Sequence, residues 1–442
     1  MSALKSLDKK ETSNLTKLQR LENEALSLTI KSLSRELETA FKAHSNPDDI
    51  DITQATNQYT NIYAASMMVS WLLGQVHINN AITEAEDKPI ELTYAPIYLA
   101  VDDVPFQEAI DSLKAMIPTD TKEYRQMEAA MKLRAFTVAN VSVNRVKKRY
   151  EAALESGASR SETLGNIRQL LEQEGVSEAN TYWLDLHYRN NMMTAYNSGR
   201  WTQIANNDLV EFLVYSSVLD SGTTELCRKI DGVIKPKNDP FWESFYPPNH
   251  HKCRATVSVL SRKQYEALPT SMQRASEQIS GKALDNDATT GKEHQFTSSP
   301  LVSMKTLPAS MMERAQEYGL TQSILNYSHA QSQRVLKEQA KAVTKQGLST
   351  VTLSKAIIQS PELEPFREMI QDKLITSPDE VWLVFDELKD GSFLPSLQFV
   401  LELDDSLRAV AFASAYDSSQ IYQLVSMTKS ELEQQIFLTL KI

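Results

Sequence analysis

The side chains best suited to special chemistry gather between Asp220 and Arg254. Both cysteines of the 442-residue chain, Cys227 and Cys253, lie there, with His250 and His251 shortly before the second. His250-x-x-Cys253 is a plausible half-site for a metal, because two intervening residues let one tight turn aim both side chains at a single ion. Cys227 is a third donor. Asp220, Asp231 and His251 are candidates for a fourth ligand or for a group that orients one. A short β-rich unit with large loops gains from such a staple, so the cofactor these residues suggest is structural zinc. The set falls short of four cysteines, and two other readings stand beside it: a Cys227–Cys253 contact or disulfide, and packed thiols next to a hydrogen-bonded histidine.

Cysteine, histidine and aspartate also outline a thiol nucleophile. Cys253, however, follows a loop beside His251 and Arg254, with no helix N-terminus to favour its thiolate. No phosphate-binding glycine loop, His-Glu-x-x-His helix or Gly-x-Ser-x-Gly elbow occurs in the sequence. No catalytic residue is assigned, and a non-enzymatic role is favoured. A second grouping is cationic: Arg145, Lys147, Lys148 and Arg149 close a stretch from Lys132 that has no carboxylate. Such a strip either meets DNA or an acidic partner, or is the solvated side of an amphipathic helix. The chain as a whole carries a net charge of −11, which argues against coating nucleic acid or an anionic membrane.

The elements that must position these groups follow from periodicity. Leucines 15, 18, 21 and 26 predict a helix over 13–43. Residues 52–79 predict another, apolar on most sides. Tyr59, Ile62, Tyr63, Met67, Trp71, Leu72 and Val76 cannot share one seam, so this helix is either buried in an N-terminal bundle or docks on a partner. The uncharged stretch Ile52–Thr83 has an apolar heart of only Ala64–Val76, far short of the roughly 20 residues of a membrane span. With two cysteines and a polar start, the expectation is a soluble protein of a reducing cytoplasm, without a signal peptide. Pro89, Pro96, Pro105 and Pro118 punctuate 84–124, leaving room for a short helix near 106–116. Residues 132–154 predict a helix with one apolar face through Phe136, Ala139, Val143, Val146, Tyr150 and Ala153. Ser159 and Glu162 form a capping box that opens a helix ending at Gly175. Residues 178–204 predict a longer helix, in which Gly199 signals close backbone contact or a break.

Three strand candidates follow, at 209–219, 233–234 and 256–260. Residues 266–300 are polar and read as an exposed linker, with no helix expected from Gly281 to Pro300. Beyond it, 308–372 is mostly helical. Four strands at 381–385, 397–403, 409–413 and 421–425 then suggest an antiparallel meander closed by a helix at 429–439. The fold class is α+β: a helix-rich N-terminal and central region with a small β-rich unit, plus a separate C-terminal α+β domain. The division expected is a helical region 1–95, a central domain 100–265, a linker 266–300 and an accessory domain 301–442.

The series Ala195-Tyr196-Asn197-x-Gly199-Arg200, Asp220-x-x-Thr223-x-x-x-Cys227, Asp231-Gly232 and Pro247-Pro248-x-His250-x-x-Cys253-Arg254 resembles the Mu F-like minor head proteins of tailed bacteriophages. The resemblance extends upstream through Pro105–Ile110, the Arg134-Ala135-Phe136 helix and the Gly157-x-Ser159 cap, covering about residues 100–262. The chain departs from that pattern at Thr223 and Thr224, where many relatives place a further cysteine, and at Ala255, where many end in Cys-Arg-Cys. The resemblance implies a minor head component that takes part in head morphogenesis. Its implied partners are the portal protein and capsid or scaffold subunits, with packaged DNA against the basic strip, and no membrane. Its implied location is the virion, and the host cytoplasm during assembly. It further implies a rival reading of residues 300–442 as a virion-carried effector. Their meander is similar to the Barnase–EndoU–colicin–RelE-like nuclease group, although the strand region 381–425 contains no histidine to serve as acid or base.

Overall fold

The computed structural model describes residues 2–43, 49–85, 107–115, 121–157, 159–177, 180–205, 207–343, 361–374, 377–434 and 439–441. The prolines at 89, 96, 105 and 118 lie outside these residues. The chain divides into two units, residues 1–119 with 142–304, and residues 120–141 with 305–442.

The first unit begins with α1 (Ser2–Ala43), α2 (Thr53–Ala85) and α3 (Gln107–Lys114). The second half of α4 (Lys122–Glu155) follows, then α5 (Arg160–Gly165), α6 (Ile167–Gln173) and α7 (Tyr182–Ala205). Helix α2 is interior: Tyr59, Ile62, Tyr63, Met67, Trp71, Leu72 and Val76 are all buried within the unit, with α1 and α7 packed against it. This accounts for its apolar circumference without a partner subunit. Helices α2 and α7 touch backbone to backbone. A Cβ on Gly199 would sit 1.9 Å from the Trp71 carbonyl oxygen, and one on Gly74 would sit 2.1 Å from that of Tyr196. Gly199 therefore marks close contact, and α7 runs through it unbroken. The capping box at Ser159 and Glu162 forms as expected. Gly175, with φ of +72°, ends the segment in the left-handed conformation that glycine adopts most readily.

After α7 come β1 (Phe212–Ser217), α8 (Glu225–Ile230), β2 (Ile234–Pro236), α9 (Phe241–Phe245) and β3 (Ala255–Leu260). The sheet order is β2-β1-β3, antiparallel throughout, with Val214 opposite Ile234 and Tyr215 opposite Val257. Alternation along β1 sends Leu213 and Tyr215 into one apolar cluster with Cys227, Trp242 and Cys253, and Phe212 and Val214 into another with Ile234 and Leu260. Arg200, fully buried, ties three elements together. Its guanidinium donates to Glu11 Oε1 at 2.7 Å, to the Val257 carbonyl at 2.7 Å and to the Tyr196 hydroxyl at 2.9 Å.

The stretch after β3 corrects one expectation. Helices α10 (Arg262–Glu266), α11 (Thr270–Glu277), α12 (Gly281–Asn286), α13 (Thr290–Glu293) and α14 (Pro300–Lys305) occupy it, so helix does form between Gly281 and Pro300. The cause is tertiary. Leu284 is buried in the cluster around Cys227, His294 stacks on Phe245, and the amides of Gln295 and Phe296 donate to the Asn249 carbonyl. A polar sequence thus gains order from a few well-placed contacts.

In the second unit, the first half of α4 is buried on most sides, from Met127 to Val141. The single apolar face expected for it understates its packing. Its polar groups are matched locally: Arg134 donates to the Thr306 carbonyl, Asn140 donates to Ser323 Oγ at 2.7 Å, and Glu128 accepts from Arg334 at 2.8 Å. Phe136 stacks on Tyr327. Helices α15 (Ala309–Glu317) and α16 (Thr321–Val343) follow, then a 3-10 helix at Pro361–Phe366 and α17 (Arg367–Lys373).

Strands β4 (Glu380–Glu387), β5 (Phe393–Glu402), β6 (Leu407–Ser414) and β7 (Asp417–Thr428) make the antiparallel meander expected from the sequence. Among the described residues the closing helix α18 covers Lys429–Gln434, and at Thr439, where helix was expected, β8 (Thr439–Lys441) begins and pairs with β4 to give the order β7-β6-β5-β4-β8. Strand β8 covers that edge of β4 over Trp382–Val384. One face of the sheet packs Leu401, Ala409, Ala411 and Leu424 on Leu363, Ile370 and Leu374. The other carries Val400, Val410 and Phe412 against Trp382 and Leu432. Among the described residues, no helix is long and apolar enough to cross a membrane.

Candidate metal centre

The loops between the three short strands of the first unit bring Cys227, His250 and Cys253 together. All three are buried, and their donor atoms lie within 4.8 Å of one another. Thr224 caps α8, its Oγ1 accepting from the Cys227 amide at 3.3 Å, which sets Cys227 in the first turn facing the core. Ser217, the last residue of β1, holds the other end. Its Oγ donates to the Cys227 carbonyl at 3.2 Å, and its amide donates to Asp231 Oδ1 at 2.8 Å. Gly232 follows with φ of +74°, and its amide donates to the Tyr215 carbonyl. Asp231-Gly232 is therefore the turn that docks α8 onto β1.

On the other side, the Pro247-Pro248 peptide is cis, and Asn249 behind it is fully buried. Asn249 Nδ2 donates to the Tyr215 hydroxyl at 2.9 Å and to the Phe245 carbonyl at 3.3 Å. The turn closes with the Cys253 amide on the His250 carbonyl, passing through Lys252 at φ of 58°. His250 Nδ1 lies 2.9 Å from the His251 carbonyl. A carbonyl only accepts, so Nδ1 carries the proton in the neutral ring and Nε2 keeps its lone pair. Nε2 lies 3.2 Å from Cys227 Sγ and 3.0 Å from Thr224 Oγ1. The two sulfurs are 3.9 Å apart, and Tyr215 Oη is 3.5 Å from Cys227 Sγ.

Electrostatics follow from this crowding. The hydrogen bond between the thiols, aided by burial, pushes Cys227 upward, while the same bond brings Cys253 down to about 7. Burial alone would lower the His250 imidazole, but its hydrogen bond with Cys227 and the His251 carbonyl outweigh it and raise the group. The three side chains therefore titrate as a coupled set rather than one by one.

The remaining candidates sit outside the donor triangle. Asp220 binds Arg254 in a two-pronged pair, 2.6 Å on each side, and the Arg254 guanidinium holds its carboxyl well below the usual range. That pair closes the 218–224 loop over the start of β3. Asp231 accepts from the Ser217 amide, and the His251 ring meets Asn190 at 2.8 Å and Phe296 edge-on. His251 thus acts on the cluster through its carbonyl. Of the basic strip, Arg145 and Arg149 converge on Glu174, at 2.5 and 3.1 Å, and Lys147 donates to the Ile50 carbonyl. Lys148 and Arg149 are exposed.

Three residues at the cluster were not singled out from sequence: Tyr215, Thr224 and Asn249. Tyr215 looks like an ordinary inward strand residue. Thr224 stands out in the sequence only as a departure from the family pattern; a threonine three residues before Cys227, able to cap a helix there, is the signal that would have found it. Asn249 shows no signal beyond its place next to His250. Asn197 adds a further tie, donating to the Ala255 carbonyl at 3.2 Å and accepting from Thr256 Oγ1 at 3.0 Å.

The residues that make this cluster and its supports, from the end of α4 to β3, coincide with a recognised domain. Residues 144–258 match the phage Mu protein F-like family. The Mu F-like segment holds Gly199, Arg200, Asp220, Cys227, Asp231, Gly232, His250, Cys253 and Arg254, whereas the stretch from about residue 100 to 143 precedes it. The chain is 27% identical over 186 residues to the F protein of Escherichia phage Mu, whose name assigns it provisionally to capsid assembly; the match covers 37% of this chain and 42% of that protein. It is 28% identical over 197 residues to the Mu-like prophage FluMu F protein of Haemophilus influenzae, covering 40% of this chain and 47% of that one. The chain thus aligns with less than half the length of either relative. No solved structure matches it.

Proposed function

We propose that the chain is a minor head component of a Mu-like phage or prophage, built into the head during assembly with capsid subunits as partners. The observation that carries this reading is the match of residues 144–258 to the Mu F-like family, supported by a relative named for capsid assembly. The residues that carried the resemblance do structural work in this fold: Gly199 sets a helix crossing, Arg200 joins three elements, and Asp220 with Arg254 clasps a loop. A framework of this kind serves as a docking platform. Leu209 and Leu219, 51% and 57% exposed, are apolar side chains on its surface suited to anchor a partner.

Binding to the portal, a place in the finished virion and contact with packaged DNA belong to the same proposal. A DNA contact would draw on the exposed side of Lys148 and Arg149, and its affinity would fall steeply with salt. The effector reading of 301–442 gains less support: Arg408 pairs with Glu402 and donates to the Asp404 carbonyl, and His329 pairs with Gln333.

The test is co-expression with the capsid and portal proteins of the same genome, followed by sedimentation of the heads. The chain is expected to travel with head-sized particles and to be captured by portal protein. Heads that form normally and leave the chain at the top of the gradient would refute the assembly role. Growth arrest caused by full-length protein in the absence of head components would favour the effector.

A further inference from the structure

We infer that Cys227, His250 and Cys253 bind one zinc ion, with the Thr224 position at the fourth corner of the site. A tetrahedral zinc with bonds of about 2.3 Å to sulfur and about 2.0 Å to nitrogen needs ligand atoms roughly 3.8 Å (S to S) and 3.5 Å (S to N) apart. The two sulfurs stand 3.9 Å apart, and Cys227 Sγ stands 3.2 Å from His250 Nε2. Cys227 thus supplies two edges of one face of such a tetrahedron, and all three donor atoms lie within 4.8 Å of one another, so a small closure of the His250–Cys253 turn completes the face.

The supporting groups point the same way. His250 is fixed by its Nδ1 hydrogen bond to the His251 carbonyl, the arrangement that orients metal-ligating histidines and leaves Nε2 available. Two soft sulfurs and an imidazole in a buried, compact set select zinc over the oxygen-loving cations. Thr224 and Cys227 are separated by two residues, as are His250 and Cys253, and Thr224 Oγ1 is 3.0 Å from His250 Nε2. The cluster therefore has the layout of two paired half-sites in which three corners carry strong ligands and the fourth carries a hydroxyl. The fourth corner takes water or the Thr224 hydroxyl, which makes the ion's hold weaker than in a closed four-ligand site.

The experiment uses full-length protein produced with added zinc and purified without chelator. Elemental analysis is expected to find about one zinc per chain, and cobalt exchange is expected to give thiolate-to-metal charge-transfer and tetrahedral visible bands. Cys253→Ser should lose the metal and the bands, with far-ultraviolet circular dichroism checking that it folds. Thr224→Cys keeps all three ligands and adds a fourth, so it should tighten zinc by at least about tenfold in competition with a chromogenic chelator. The inference is overturned if folded wild type retains less than about 0.1 zinc per chain after equilibration with zinc and desalting, whether or not Thr224→Cys binds the metal. A mass showing loss of two hydrogens, with Cys227 and Cys253 joined in a disulfide in the freshly purified protein, would overturn it equally. A failure here leaves head incorporation unaffected, so the two readings fail separately.

Discussion

Replacing Arg200 by methionine should be among the most damaging single changes in the first unit. The guanidinium is fully buried and makes four contacts of different kinds: Glu11, the Val257 carbonyl, the Tyr196 hydroxyl and the face of the Tyr196 ring. Methionine fills similar volume, so the cavity cost is small and the loss is mainly electrostatic. It leaves the Glu11 carboxylate 6% exposed with only Ser258 Oγ, at 2.9 Å, to satisfy it. Breaking a buried pair by removing one partner costs about 3–5 kcal/mol. With a urea slope of about 3 kcal/mol per molar, the midpoint should fall by roughly 1–1.7 M. Tryptophan fluorescence is a suitable probe, because Trp71, Trp183, Trp201 and Trp242 lie in the first unit and only Trp382 in the second. The double variant Arg200→Met/Glu11→Leu removes both charges and should recover about 2 kcal/mol or more, the remainder reflecting the unpaired Val257 carbonyl and Ser258 hydroxyl. A midpoint shift below about 0.3 M for the single change, with no recovery in the double, would show that the pair does not hold α1, α7 and β3 together.

Gly199→Ala should destabilise by about 2–3 kcal/mol despite alanine's better helix propensity, because the added methyl would meet the Trp71 carbonyl. Gly165→Ala, which meets nothing within 4 Å, should be neutral or slightly stabilising, and thermal melts of the two variants provide the comparison. Glu22 lines a cleft of about 100 Å³ with Arg189, Lys252 and Arg254, and burial raises its carboxyl to about 8 against a partial opposing effect of Arg189. Its folded value exceeds its unfolded one, so this stabilisation is full below about pH 4.5 and is lost progressively as pH rises to 8, a decline of at most about 5 kcal/mol. Glu22→Gln should flatten that decline, matching wild type near pH 4.5 and exceeding it near pH 8 in urea titrations. An unchanged pH profile would place the Glu22 carboxyl in water.

Much of the architecture was legible from side-chain pattern alone. The β4–β7 meander follows β-branched and aromatic runs separated by turn residues, and the Ser159–Glu162 cap is a local hydrogen-bond motif that needs no tertiary help. The interior position of α2 was half legible: its apolar circumference excluded a single seam, but only the packing of α1 and α7 distinguishes burial in the monomer from docking on another subunit. The helices at 281–293 were not legible, because Leu284 and the Asn249 carbonyl hold them through contacts distant in sequence. The same limit applied to β8, whose three residues become a strand by pairing with β4. At the cluster, residue types indicated Cys227, His250 and Cys253. The roles of Asp220, Asp231 and His251 depended on which neighbour each side chain meets, and spacing does not report that.

The contacts made by residues 284–296 bear on where this polypeptide can be cut. Glu293 accepts from the Leu226 amide at 2.7 Å, beside the cysteine that follows it, and the Gln295 and Phe296 amides cap the residue preceding His250. A fragment trimmed to the matched domain, ending at residue 258, would keep Cys227, His250 and Cys253 yet strip the outer wall from both loops that present them. Work on an isolated Mu F-like piece should therefore carry the chain through Phe296, since a shorter version would report the behaviour of an opened core.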